Sequence, residues 1–91
     1  MYKLVTTSDF DKQFKKLDKS VQRMITKWRK KHLYNTDNPR AQGKPLSANL
    51  KGYWRYRIGN YRLLAEIQDK ELVVVAVEIA HRSAIYDREG A

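Results

Sequence analysis

Apolar residues recur at helical intervals in the first third of the chain and at intervals of two in the last third. Phe10, Phe14 and Leu17 fall at i, i+4 and i+7, and Val21, Met24, Ile25 and Trp28 continue helical spacing to about Leu33. Asp18-Lys19-Ser20 interrupts that run, so the pattern predicts two helices rather than one. Ser8 reads as the N-cap of the first, with Asp9 and Asp11 favouring the positive end of its dipole. Ahead of it, Met1 to Thr7 alternates as a short strand. Asn35 to Asn49 is rich in turn residues (Asn38-Pro39, Gly43-Lys44-Pro45) and is predicted to be irregular. Three strands follow, at roughly Tyr53 to Gly59, Tyr61 to Gln68 and Glu71 to Ile79. The run from Leu72 to Val77 is continuously apolar and β-branched, which suits a central strand buried on both faces. An Asp69-Lys70 turn joins the last two strands, with no glycine to fix its register. The expected fold is α+β: an N-terminal strand, an antiparallel helical pair, then a three-stranded antiparallel meander with the helices on one face. Its 91 residues suit a single domain, 1–91.

The first hairpin of that meander carries the most informative chemistry. Gly59-Asn60, flanked by aromatic and β-branched residues, is a strong two-residue hairpin signal. It sets Ile58 opposite Tyr61 and Arg57 opposite Arg62, and alternation puts Arg55 on the same face as Arg57. Trp54, Tyr56, Ile58, Tyr61 and Leu63 fill the other face as core. No acid occurs between Asn38 and Ala65, although Arg40, Lys44, Lys51, Arg55, Arg57 and Arg62 do. Like charges directly opposite each other destabilise a sheet, so a polyanion is the natural compensating partner. Guanidinium suits phosphate oxygens because its planar fork binds them bidentately. Tyr53 shares the arginine face and is placed to stack on a base, with Lys44 and Lys51 as further RNA contacts.

The charge balance extends this picture. The net charge is +9, and residues 1–50 hold twelve Lys and Arg against four acids. Residues 51–91 hold seven against six, so the cations of the second half are concentrated on the hairpin. Lys12, Lys15, Lys16, Lys19, Arg23, Lys27, Arg29, Lys30 and Lys31 give the helices a basic outer face, equally suited to solvation and to docking a polyanion. Trp28 reads as core and His32 as part of that basic face. There are no cysteines, which excludes a disulfide framework and thiolate metal sites. No apolar run has the length of a membrane span, so a soluble, cytoplasmic protein without membrane contact is expected. His32 and His81 lack ligand-pair spacing, Gly43-Lys44 lacks a phosphate-loop pattern, and no serine has a His and Asp partner set. Metal, cofactor and triad chemistry are therefore not expected.

The segment His81-Arg82-Ser83-Ala84-Ile85-Tyr86 leaves the predicted central strand beside the hairpin turn. Taken alone, His81 is a surface residue and Tyr86 an edge-packing one. Taken with Arg57 and Arg62, they add an imidazole that titrates near neutrality and a phenol to a cationic cluster. That set suits cleavage of an RNA phosphodiester: removing the 2′-OH proton, stabilising a crowded phosphorane and protonating the leaving 5′-oxygen.

The residues from Leu50 to Leu64, the strand from Val73 to Ile79 and the ending Ala80 to Tyr86 together resemble the RelE/ParE superfamily of bacterial type II toxins. The likeness is closest to its RelE-like branch and spans nearly the whole chain. It implies a ribosome-dependent endoribonuclease that cuts mRNA in the A site and needs no metal. It also implies an acidic RelB-like antitoxin, and operator DNA bound only together with that antitoxin. The family's catalytic positions fall on Arg55, Arg57, Arg62, His81, Arg82 and Tyr86. RelE-type enzymes carry lysines where Arg55 and Arg57 stand, and guanidinium is a poor base. His81 is therefore expected to transfer the proton, as base or as acid, with Tyr86 assisting. Arg57, Arg62 and Arg82 would stabilise the phosphate and Arg55 orient the backbone. A non-catalytic gyrase inhibitor of the ParE kind is the first alternative, and a plain RNA- or DNA-binding module the second.

Overall fold

In the computed structural model, which describes residues 1–84, the chain forms β1 (Lys3–Thr6), α1 (Ser8–Lys15), α2 (Lys19–His32), β2 (Lys44–Pro45), β3 (Trp54–Ile58), β4 (Tyr61–Gln68) and β5 (Val73–His81). A 3₁₀ turn, Ala48–Leu50, precedes β3. The strands make one sheet in the order β1-β5-β4-β3-β2. The continuous apolar run is an interior strand, β5, paired parallel with β1 and antiparallel with β4. It is fully buried on one face only, at Val74, Ala76 and Ile79, and not on both as expected. The predicted α+β meander stands, extended on one side by β1 and on the other by a two-residue β2 inside the segment expected to be irregular.

Each boundary has a local cause. Thr7, not Ser8, caps α1: its backbone is extended and its hydroxyl accepts the Phe10 amide at 3.1 Å. The same hydroxyl donates to the Val77 carbonyl at 3.3 Å, so the chain turns from β1 into the helix one residue sooner than expected. After α1, Gln22 Nε2 donates to the carbonyls of Phe14 (3.2 Å) and Leu17 (2.9 Å), satisfying groups that a helix end leaves bare. The helical layer buries Phe10, Ile25 and Leu33 against Tyr56, Ile58, Leu63, Ala65, Val74, Ala76 and Ile79 of the sheet. Arg29 does not join the outer basic face. It is half-buried, with its guanidinium 5.5 Å from the Phe10 ring centre and 5.6 Å from that of Phe14.

The β4–β5 connection is longer than predicted. Gln68 pairs with Val73, leaving Asp69 to Leu72 as the loop, with Leu72 in the left-handed region at φ 55°. Two-residue hairpins need residues at ease with positive φ, and Asp69-Lys70 supplies no glycine. A register shift at Leu64/Ala65 interrupts the same ladder, and β5 continues to His81, two residues past its expected end.

The segment between α2 and β3 has little regular structure, but it is tied down. The buried Tyr56 hydroxyl donates to the Pro39 carbonyl, and Trp54 Nε1 donates to the Gln42 carbonyl at 2.7 Å. Arg40 forks onto both carboxylate oxygens of Asp69 at 2.9 and 3.0 Å, and the Tyr2 hydroxyl donates to the same group at 2.6 Å. Those bonds, Arg40's first, hold the Asp69 carboxyl at about 2, below its ordinary range. No helix among the described residues is long and apolar enough to cross a membrane.

Candidate nucleic-acid interface

Directly paired residues in a sheet share a face, so the register fixes which cations stand together. Arg57 lies opposite Arg62, as the turn chemistry predicted, and the row continues to Ala80. The adjacent row reads Lys44, Arg55, Leu64 and Glu78 across β2, β3, β4 and β5. This is the face opposite the helices, because the alternate residues Tyr56, Ile58 and Leu63 belong to the core. Arg62 reaches toward the hairpin tip, donating from Nη1 to the carbonyls of Gly59 (3.0 Å) and Tyr61 (2.8 Å).

β2 covers β3 only at Trp54 and Arg55, leaving the strand edge open at Arg57. A cleft of about 200 Å³ lies there, lined by Trp28, Gln42, Gly43, Lys44, Arg55 and Arg57. A second recess, of about 240 Å³, is lined by Lys44, Pro45, Leu46, Ser47 and Arg55. Lys44 and Arg55 line both, which makes the basic surface continuous. Gly43 builds this arrangement. At φ 85°, a Cβ there would stand 2.3 Å from the Arg55 carbonyl oxygen and 2.7 Å from Trp54 Nε1. Only glycine lets the chain pass so close and seat Lys44 beside Arg55.

Other expected site residues do not join this cluster. Lys51 is exposed in the turn before β3. Tyr53 lines a separate recess with Arg40, Pro45, Gly52, Trp54 and Ile67. His81 requires a correction. It pairs with Tyr61, which pairs with Ile58, so its side chain is on the helix-facing side, away from Arg57 and Arg62. Its ring meets that of Tyr61 edge-on at 5.5 Å. The Ser83 amide donates to His81 Nδ1 at 3.3 Å, so a neutral ring carries its proton on Nε2. Proximity to the hairpin tip does hold for the backbone: the Arg82 amide donates to the Asn60 carbonyl at 2.7 Å. Tyr86 lies outside the described residues. The arginine face also has an acid that the sequence pattern did not suggest, because pairing brings Glu78 of β5 into the Arg55 row. Trp28, Gln42 and Gly43 were missed as lining residues, and only the turn signal at Gly43 pointed there. Among the described residues, no three His, Asp or Glu side chains gather into a metal-holding group.

A family model described as the ParE toxin of the type II toxin–antitoxin system parDE matches residues 4–86. The chain belongs to this ParE toxin family. Toxin RelG of Mycobacterium tuberculosis (strain ATCC 25618 / H37Rv) is 44% identical over 50 residues, 55% of this chain and 58% of that protein. Toxin RelE of the same strain is 42% identical over 50 residues, 55% of this chain and 52% of that protein. These matches span little more than half the length of either relative. Among solved structures, a chain of the toxin-antitoxin complex RelBE2 from M. tuberculosis has a TM-score of 0.77 at 27% identity, covering 90% of this chain and 92% of that one. The isolated E. coli RelE toxin has a TM-score of 0.71 at 22% identity, covering 97% and 94%. Membership in the RelE/ParE superfamily and the RelE-like fold thus agree with the resemblance read from the sequence.

In this ParE-family chain, the arginine rows can bind phosphate but cannot remove a proton, since guanidinium stays charged.

Proposed function

We propose that this chain is the toxin of a type II toxin–antitoxin system, an endoribonuclease that cuts mRNA in the ribosomal A site without a metal and stops translation. The observation that carries the reading is Arg57 facing Arg62, beside the row that holds Lys44 and Arg55. Lys44 and Arg55 would track the RNA backbone, with Lys51 and Tyr53 as outlying contacts. Arg57 and Arg62 would hold the scissile phosphate and stabilise the extra negative charge of the phosphorane. The 2′-oxygen attacks that phosphorus as its proton leaves, and the 5′-oxygen departs with a proton, leaving a cyclic phosphate and a 5′-hydroxyl. These transfers are assigned to His81 and Tyr86, with Arg82 as a further cation, and His81 would have to act across the end of the sheet from the helix-facing side. An acidic RelB-like antitoxin is the expected partner. Several structures with this fold are toxin–antitoxin complexes, including RelBE2 of M. tuberculosis and RelBE of E. coli, which supports that expectation. With that antitoxin the chain would bind operator DNA, and its site of action would be the cytoplasm.

A second reading, a non-catalytic gyrase inhibitor, is favoured by the ParE family match and by the separation of His81 from the arginines. Inducing expression separates the two. The nuclease reading expects protein synthesis to stop with cut mRNA while purified gyrase keeps supercoiling DNA. Intact mRNA with gyrase blocked would establish the inhibitor in its place.

A further inference from the structure

The cleft at the edge of β3 contains more than phosphate binding requires. Trp28 forms one wall, half-buried, with its ring 4.6 Å from that of His32 and 5.4 Å from that of Tyr56. Lys44, Arg55 and Arg57 supply its cations, and Gln42 and Gly43 complete the lining. The loop carrying Gln42 is held in place, its carbonyl by Trp54 Nε1 at 2.7 Å and its neighbour Gly43 by close approach to Arg55. A volume of about 200 Å³ is room enough for one flat heterocycle, with cations among the residues that line it. Unpaired RNA bases are recognised in this way, stacked on an aromatic face and read at their edges by donor–acceptor side chains. Gln42 offers both a donor and an acceptor from one amide.

We propose that this cleft is a base-recognition subsite: one unpaired RNA base stacks on Trp28, Gln42 reads its edge, and the adjoining phosphate rests on Lys44 and Arg57. The proposal deepens the RNA reading above and rests on it for the source of the strand, although its test does not require cleavage. The probes are 2′-O-methyl RNA homotetranucleotides, which lack the nucleophile, and an abasic backbone of the same length and charge. Binding to the whole chain is followed on the two ¹⁵N-labelled indole signals, assigned with Trp28→Phe. The Trp28 signal should move with base-bearing probes and stay still with the abasic one, and wild type should bind bases about ten-fold tighter, the scale of one stacking contact. Trp28→Leu should lose that difference, and Gln42→Ala, which leaves the core untouched, should level the preference among the four bases. A still Trp28 signal, or equal affinity of wild type for base-bearing and abasic probes, overturns the proposal. A-site cleavage with a still Trp28 signal removes the subsite alone, whereas a moving signal without cleavage keeps the subsite and removes the nuclease reading.

Discussion

Replacing Arg57 by threonine should stabilise the fold while it removes function. Arg57 is exposed and directly opposite Arg62, whose guanidinium is drawn toward the Gly59 and Tyr61 carbonyls at the hairpin tip. Like charges in facing positions cost roughly 0.2–1 kcal/mol, and threonine suits a strand better than most polar residues. For a domain of this size that gain corresponds to a rise in melting temperature of about 1–8 °C. Arg57 is exposed and Arg62 partly so, and salt should therefore weaken the effect, because the screening length falls to about 3 Å near 1 M. Thermal and urea unfolding of wild type, Arg57→Thr and the control Lys70→Thr, at low and high salt, measure this directly. The control removes the same unit of net charge from a loop without a facing cation, so any excess belongs to the pair. Growth arrest on induction should weaken in Arg57→Thr alone. A destabilised Arg57→Thr, a gain no larger than the control's, or a gain that high salt leaves undiminished would refute the argument that this facing pair is strained for function.

Further predictions concern the loop that builds the cleft. Tyr56→Phe leaves the Pro39 carbonyl without its donor inside the protein, which should cost about 1–3 kcal/mol in urea unfolding; a loss under ~0.5 kcal/mol would mean that the bond does not hold the loop. Gly43→Ala places a methyl 2.3 Å from the Arg55 carbonyl in a left-handed conformation, and should cost at least ~1 kcal/mol and weaken RNA binding together. Asp69 is held down to about 2 by Arg40 and Tyr2, against an ordinary value of 3.8. Its folded value is the lower one, so its contribution to stability is present above pH 3.8 and disappears as pH falls through about 2. Asp69→Asn should flatten the stability profile in that window, and a ¹³C carboxyl titration with a midpoint near the ordinary value would contradict the assignment.

What the sequence disclosed follows from how far each signal reaches. Gly59-Asn60 is local, and it fixes the Arg57–Arg62 pair because a two-residue turn leaves no freedom in the register. The β-branched run marks β5 as an interior strand, although only the face carrying Val74, Ala76 and Ile79 is fully buried and the other is half-covered. The pattern misplaces His81 because its face depends on β4–β5 pairing, set by a four-residue loop without glycine and by a register shift at Leu64/Ala65. Neither has a local signature. The same long-range pairing brings Glu78 toward arginines that have no acid near them along the chain. Trp28 follows the core spacing of its helix and does touch the core, so periodicity gives no hint that it also lines a cleft. The loop ties made by Tyr2, Arg40, Trp54 and Tyr56 join residues far apart in sequence and leave no pattern in it.

The central claim is that facing arginines on one hairpin hold the scissile phosphate of a ribosome-bound message while it is cut. Primer extension on mRNA from programmed ribosomes incubated with purified protein tests it most directly. Wild type should give stops within the A-site codon, and Arg57→Ala combined with Arg62→Ala should abolish them while the protein stays folded. Full-length extension with wild type, or equal cutting by the folded double variant, would contradict the claim.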